Sequence, residues 1–309
     1  MKKPCRIFNI STHQYYRWKN KISCSSSVLN LCFKTHPHQL TIAEGSVIKE
    51  ALKEPVSEQK KLSSIFYKLM RSGKLFCSLS TFYKYASLLS ERTAARKSDK
   101  RRQSLLSHYP LQFIHVDTTW LQTVKDGGIR AVIIKDNYSK KILHQSIVED
   151  VHSHWIARLL KEVFSMYGLG SIPKSVAFVS DGGPENKGEV IEWIESISLP
   201  NVTKLIAKTE NFKYTNNEIE STFNIFKNEF VASREITSKD HAQKLLNDFQ
   251  KYNDNERYPL ALFGLTPQEV FDEAIPDKYR FTIDIKQAAS ARYQKNKAGR
   301  FCDLCSHYE

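Results

Sequence analysis

The order of the apolar runs after Pro110 restricts this chain more than any other feature. Phe113–Val116 is a short apolar run ending on Asp117, Asp126-Gly127-Gly128 is a turn into a second run at Ala131–Ile134, and Ile142–Val148 is a third. Short β-rich runs bounded by turn residues predict an antiparallel meander. The period then lengthens. Ile156, Leu159, Leu160, Val163 and Tyr167 mark one face of a helix closed by Gly168. Ser175–Val179 returns to a strand, Glu189–Ile197 to a helix and Lys204–Ala207 to a short strand. A last helix is expected over Lys213–Val231, where Ile219, Phe223, Phe226 and Phe230 share one apolar face. Asn216 or Asn217 can cap it, and Glu218 and Glu220 in its first turn suit the helix dipole.

Three antiparallel strands followed by alternating helices and strands is the order of a ribonuclease-H-like α/β domain. The expectation is a mixed five-stranded sheet with flanking helices over residues 109–272. On that ordering Asp117 lies on the first strand, Asp181 at the end of the fourth, and Glu220 faces both from the helix. Each has a plain explanation alone, since Asp often ends strands at turns and Glu often serves a helix dipole. Three carboxylates gathered on one sheet repel one another, and a divalent cation is the common reason to gather them. Oxygen-only ligands suit Mg²⁺ or Mn²⁺. Two such ions about 4 Å apart activate a hydroxyl and stabilise the leaving oxygen of a phosphodiester.

Charge divides the chain. Residues 1–108 hold 21 Lys and Arg against 6 Asp and Glu, whereas 109–309 hold 25 against 27. A basic front on a near-neutral body predicts a nucleic-acid-binding arm beside a separate functional domain. Within it, residues 1–40 give a short helical element carrying Arg17, then a loose connection. Residues 41–90 predict an all-α helix-turn-helix domain whose first helix opens on a Thr41–Glu44 capping box and whose last exposes Thr81 and Lys84. A plain three-helix bundle fits the same pattern. Residues 91–108 read as a basic linker able to track phosphates. Residues 273–309 read as a basic tail with a second patch at Lys286, Arg292, Lys295, Lys297 and Arg300.

Cys302-Asp-Leu-Cys305 has metal-ligand spacing, but the sequence supplies no second pair for a zinc site. No apolar run approaches the roughly 18 residues of a membrane span, so a cytoplasmic protein without a membrane partner is expected.

The blocks FIHVDTTWL, SDGGPE and NNEIESTFNIFKNE resemble the three blocks of the catalytic core in retroviral integrases and insertion-sequence transposases of the DDE superfamily. A fourth block, YNDNERYPLALFGLTPQEVF at 252–271, resembles the end of the core in IS3-type transposases, and CRIFNISTHQYYRWK resembles the start of their second reading frame. The resemblance implies Asp117, Asp181 and Glu220 as metal-binding catalytic residues and Lys227 as a contact to the DNA end. Arg257 reads as a contact to phosphate or, equally, as a surface ion pair. The resemblance implies a Mg²⁺- or Mn²⁺-dependent DNA recombinase of the bacterial cytoplasm, acting on element ends and target DNA as a homo-multimer. The thin N-terminal helix-turn-helix leaves open whether the chain works alone or binds its ends with an upstream-frame fusion partner. Departures exist. Glu218 lies closer than Glu220 to the family's usual spacing from the second aspartate, although Glu220-Ser221-Thr222-Phe223 fits the family's pattern after its glutamate. Tyr258-Pro259-Leu260 stands where the family has Pro-His-Ser. An inactive, transposase-derived DNA-binding protein and a nuclease that cuts without joining are the alternatives.

Overall fold

The computed structural model describes residues 11, 12, 15, 37–53, 61–89, 105–207, 216–231 and 234–298. Arg17, most of the 91–108 linker, Arg300, Cys302 and Cys305 lie outside them. The chain divides into two compact units: residues 1–58, 65–95 and 279–309 form one, and residues 59–64 and 96–278 the other.

The larger unit is built on five strands, β1 Phe113–Gln122, β2 Gly128–Asp136, β3 Ile142–Val148, β4 Val176–Ser180 and β5 Val202–Ile206, in the order β3-β2-β1-β4-β5. β1, β2 and β3 pair antiparallel, and β4 and β5 add in parallel on the other side of β1. This is the expected mixed five-stranded sheet with flanking helices. β1 is longer than the apolar run Phe113–Val116. Thr118 and Thr119 keep it β-compatible without an apolar signal, and Trp120 is exposed at its far end.

Alternation divides the sheet into two faces. Ile114, Val116, Val132, Ile134 and Phe178 pack under α4 Ser153–Met166 and α5 Glu189–Ile197. Leu121, Ile129, Ala131 and Ile133 pack under α6 Asn217–Ile225 and α7 Lys239–Asn255. α4 stops where Gly168 takes φ 59°, a left-handed conformation that a glycine adopts without strain. α7 starts at Ser238, whose hydroxyl accepts from the His241 amide. A last short helix, α8 Pro267–Phe271, begins with a full capping box between Thr266 and Glu269.

The expected long helix over Lys213–Val231 differs in its second half. Its α-helical part is α6, and Phe226–Val231 continue as a π-helical turn. Phe226 and Phe230 both meet the buried Phe249, at 5.1 and 5.6 Å between ring centroids. Full burial of the Phe226 and Phe249 rings contributes about 1.5–3 kcal/mol each.

The smaller unit is helical, with α1 Ile42–Lys53, the greater part of α2 Leu62–Arg71, α3 Leu79–Leu89 and a fourth helix, α9 Thr282–Ala298. The Thr41–Glu44 capping box is present, with Thr41 N–H donating to Glu44 Oε2 at 2.8 Å and Glu44 N–H to Thr41 Oγ1 at 3.3 Å. Phe66 of α2 meets the buried Phe82 of α3 at 5.3 Å. Residues 273–309, read from the sequence as a basic tail, include α9, which belongs to this unit. Arg292, read as part of a second basic patch, is buried. Its Nε donates to Glu44 Oε2 at 3.0 Å and its Nη2 to the Phe76 carbonyl at 2.7 Å.

Candidate functional site

The pairing of β1 with β4 sets the first two carboxylates. Phe113 pairs with Ala177 and His115 with Val179, so continuing the register two residues brings Asp117 beside Asp181, just past the end of β4. Asp117 sits opposite Ile133 of β2, on the face covered by α6. Asp181 is exposed and held by its own loop: Oδ1 accepts from Asn186 Nδ2 at 2.7 Å and from the Gly183 amide at 3.1 Å.

Glu220 lies in the first turn of α6, half-buried, its amide bonded to the Asn216 carbonyl at 3.2 Å. The electrostatics of Asp117 show what surrounds it. Burial first, then the negative charges of Asp181, Glu220 and Glu185, push its carboxyl up to about 7, against the opposing hydrogen bond from Thr118 N–H. Glu185 was not singled out from the sequence. Its carboxylate lies against Gly183, where a Cβ would come within 2.6 Å of Oε2, so a side chain at 183 would displace it.

Glu218, two residues before Glu220, faces a different environment. Its Oε1 accepts from Lys135 Nζ at 2.7 Å and its Oε2 from Lys140 Nζ at 2.8 Å. Burial alone would raise this carboxyl, but the two ammonium groups hold it well below the usual carboxylate range. Both of its oxygens are thus committed to lysines, and Glu220 is the acid of this turn that acts on Asp117.

Asn216 occupies the N-cap position of α6, but its side chain does not cap the helix. Its Nδ2 donates to the Val116 carbonyl at 3.3 Å, and its Oδ1 lies 2.6 Å from His115 Nδ1. His115 Nε2 lies 2.9 Å from Asn137 Nδ2. An amide nitrogen can only donate, so Nε2 accepts and Nδ1 carries the proton. Burial lowers His115 to about 4, against the raising effect of its bond to Asn216, and so keeps the ring neutral.

The remaining expected residues are placed as follows. Lys227 falls in the π turn, half-buried, with burial lowering its amine. Lys84 is exposed on α3. Thr81 is half-buried, its hydroxyl 2.8 Å from that of Ser78. Arg257 is only 7% exposed, and its Nη1 donates to Asn253 Oδ1 at 3.3 Å. The chain turns back after α7 and folds this side chain inward, so the surface reading of Arg257 is corrected.

Among the described residues, no three His, Cys, Asp or Glu side chains are drawn together tightly enough to hold a metal ion as they stand. The donor set nevertheless suits a hard divalent cation. It is made only of carboxylates, and the burial and neighbouring negative charges that push Asp117 up to about 7 are what a bound cation would offset.

No family model matches the chain. The tritrans,polycis-undecaprenyl-diphosphate synthase (geranylgeranyl-diphosphate specific) of Thermococcus kodakarensis is 28% identical over 102 residues, 27% of this chain and 37% of that enzyme's length. Among solved structures, the magnesium-bound HTLV-2 integrase catalytic core is 16% identical, with 55% of this chain and 99% of that chain covered and a TM-score of 0.40. The BIV integrase catalytic core gives 15% identity, 53% and 95% coverage and a TM-score of 0.39. The catalytic domain of the Mos1 mariner transposase gives 11%, 86% and 97%, and 0.38.

Proposed function

We propose that the larger unit is a DDE-type polynucleotidyl transferase that cleaves DNA at element ends and joins the freed 3′-hydroxyl to target DNA. The observation that carries this reading is the carboxylate environment of Asp117. Two adjacent strands and the first turn of a helix bring Asp181 and Glu220 to bear on it, while the competing Glu218 is tied to two lysines. Asp117, Asp181 and Glu220 would hold Mg²⁺ or Mn²⁺, two ions per site. When bound, the ions would activate the attacking hydroxyl and neutralise the leaving oxygen. Asp117 would release its proton when a cation binds. Asp181 is kept in orientation by Asn186 and Gly183, and Glu220 by the anchored start of α6.

In the first reaction water attacks the phosphodiester at the element end and releases a 3′-hydroxyl. In the second, that hydroxyl attacks a target phosphodiester in line, and a 3′-hydroxyl of the target leaves. Lys227 would contact the element end, and Thr81, Lys84 and Arg17 would serve end recognition by a helix-turn-helix. The blocks quoted above support an IS3-type transposase of the bacterial cytoplasm, acting on DNA as a homo-multimer, alone or with an upstream-frame fusion partner. Among the described residues no helix is long and apolar enough to cross a membrane.

The test is strand transfer on labelled DNA carrying the element ends, with Mg²⁺ or Mn²⁺. Joined products support the reading. Cleavage without joining would make the protein a nuclease, and binding without either reaction would make it an inactive DNA-binding remnant.

A further inference from the structure

Lys135 is among the largest fully buried side chains of the protein, a cation in the interior of the sheet that the chemistry above leaves unused. It lies on β2 directly opposite His115, on the face that carries Asp117. Its Nζ reaches Glu218 Oε1 at 2.7 Å and Thr222 Oγ1 at 2.8 Å, successive positions on one side of α6. Thr222 Oγ1 in turn donates to the Glu218 carbonyl at 3.0 Å. Lys140, at the turn after β2, closes the other side at Glu218 Oε2 and also donates to Asn137 Oδ1 at 3.1 Å. Asn137 joins His115, and His115 joins Asn216 at the start of the same helix.

The first turn of α6 is therefore held at two points, by ion pairs at Glu218 and by the amide side chain of Asn216. The partners of Asn216 lie on β1, the strand of Asp117, and those of Glu218 lie on the neighbouring β2 and in the turn that follows it. Burying an ammonium group is costly, and a side chain serving only to fill space would be apolar. From this arrangement we infer that Lys135, together with Lys140 and Glu218, is a positioning device that fixes Glu220 against Asp117. It rests on the reading of Asp117 and Glu220 as ligands of one metal site. Lys135 touches neither carboxylate. It acts through α6, as the residues behind metal ligands act through the ligands they orient.

The test compares the full-length protein with Lys135→Met, which keeps the side-chain length and removes the charge, and with Lys140→Met, which leaves the inner ion pair intact. Hydrogen exchange at the amides of residues 217–222 reads how firmly α6 is held. Titration with Mn²⁺ followed by the electron paramagnetic resonance of the free ion reads the site without DNA. Lys135→Met should lose exchange protection in α6 and bind Mn²⁺ about 10- to 100-fold more weakly, with DNA binding unchanged, and Lys140→Met should show the smaller effect on both. Retained α6 protection, or wild-type Mn²⁺ affinity, in a folded Lys135→Met protein overturns the positioning role while the metal site stands. A wild-type protein with no Mn²⁺ affinity overturns the metal site and the inference together. Should Lys135→Met not fold, the decision passes to Lys140→Met, whose wild-type behaviour in both measurements would sink the device.

Discussion

Lys135 on β2 and Glu218 in the first turn of α6 meet at 2.7 Å beneath the helix that carries Glu220. The contact assigns two acids of similar sequence context to different work. Glu218 fastens the helix to the sheet, and Glu220 adds its charge to the environment of Asp117.

Replacing each acid by its amide should separate the two roles. Glu220→Gln should leave stability unchanged or slightly raised, because a repelling charge near Asp117 is gone, and should remove joined DNA products. Glu218→Gln should cost about 3 kcal/mol by leaving Lys135 short of its partner. Urea denaturation alongside the strand-transfer reaction measures both. Loss of products with full stability in Glu218→Gln would reverse the assignment.

Asp254 should give stability an acid-side slope. Burial raises its carboxyl from 3.8 to about 6 in the folded protein, despite hydrogen bonds from the Ile142 amide and Asn253 Nδ2. The folded state then holds a proton that the unfolded state has released. Its contribution is fully present below pH 3.8 and is lost as the pH rises through about 6. The two-unit displacement corresponds to about 3 kcal/mol at most. Denaturation midpoints at half-unit pH steps should show Asp254→Asn with a flatter profile than wild type over this range, and identical profiles would refute the assignment.

The buried His115 should be structural in its hydrogen bonds. His115→Leu leaves Asn216 Oδ1 and Asn137 Nδ2 without their ring partner, which predicts a loss of about 1–3 kcal/mol. His115→Asn, which offers both a donor and an acceptor, should recover part of it. Thermal unfolding distinguishes this from simple volume loss, since Leu fills the space better and should still be the worse variant.

Arg292 should behave as an interior fastener. Arg292→Met is expected to destabilise the helical unit by about 3 kcal/mol, because Glu44 loses its partner. The salt dependence of DNA binding should not change. Lys295→Ala with Lys297→Ala, both exposed, should do the opposite. A reduced salt slope in Arg292→Met would return this residue to the phosphate-binding surface.

The two kinds of feature differ in how far the sequence reveals them. Ile142–Val148 was legible to the residue because apolar side chains fill it and turn residues bound it. The strand positions of Asp117 and Asp181 followed from the apolar runs they end, and the start of α1 from its capping residues. The π turn was hidden, since Phe223, Phe226 and Phe230 have the same spacing an α-helix would give them. The Lys135–Glu218 pair joins residues far apart in sequence, and nothing local marks a lysine for burial. Arg257 and Arg292 were misplaced for the same reason: a basic side chain defaults to the surface until its partner is known. Glu185 stood within a quoted block but could not be tied to Asp117 before the fold placed the two together.

The membership of α9 in the helical unit has a consequence for synthesis. A ribosome completes residues 96–278, every strand of the sheet and all four carboxylates, before α9 exists. Glu44 meets Arg292 only after the intervening chain has emerged. The larger unit can therefore fold while its nascent chain is still growing, whereas the helical unit must wait for α9. A nascent chain halted before α9 would carry a finished sheet and an unfinished arm.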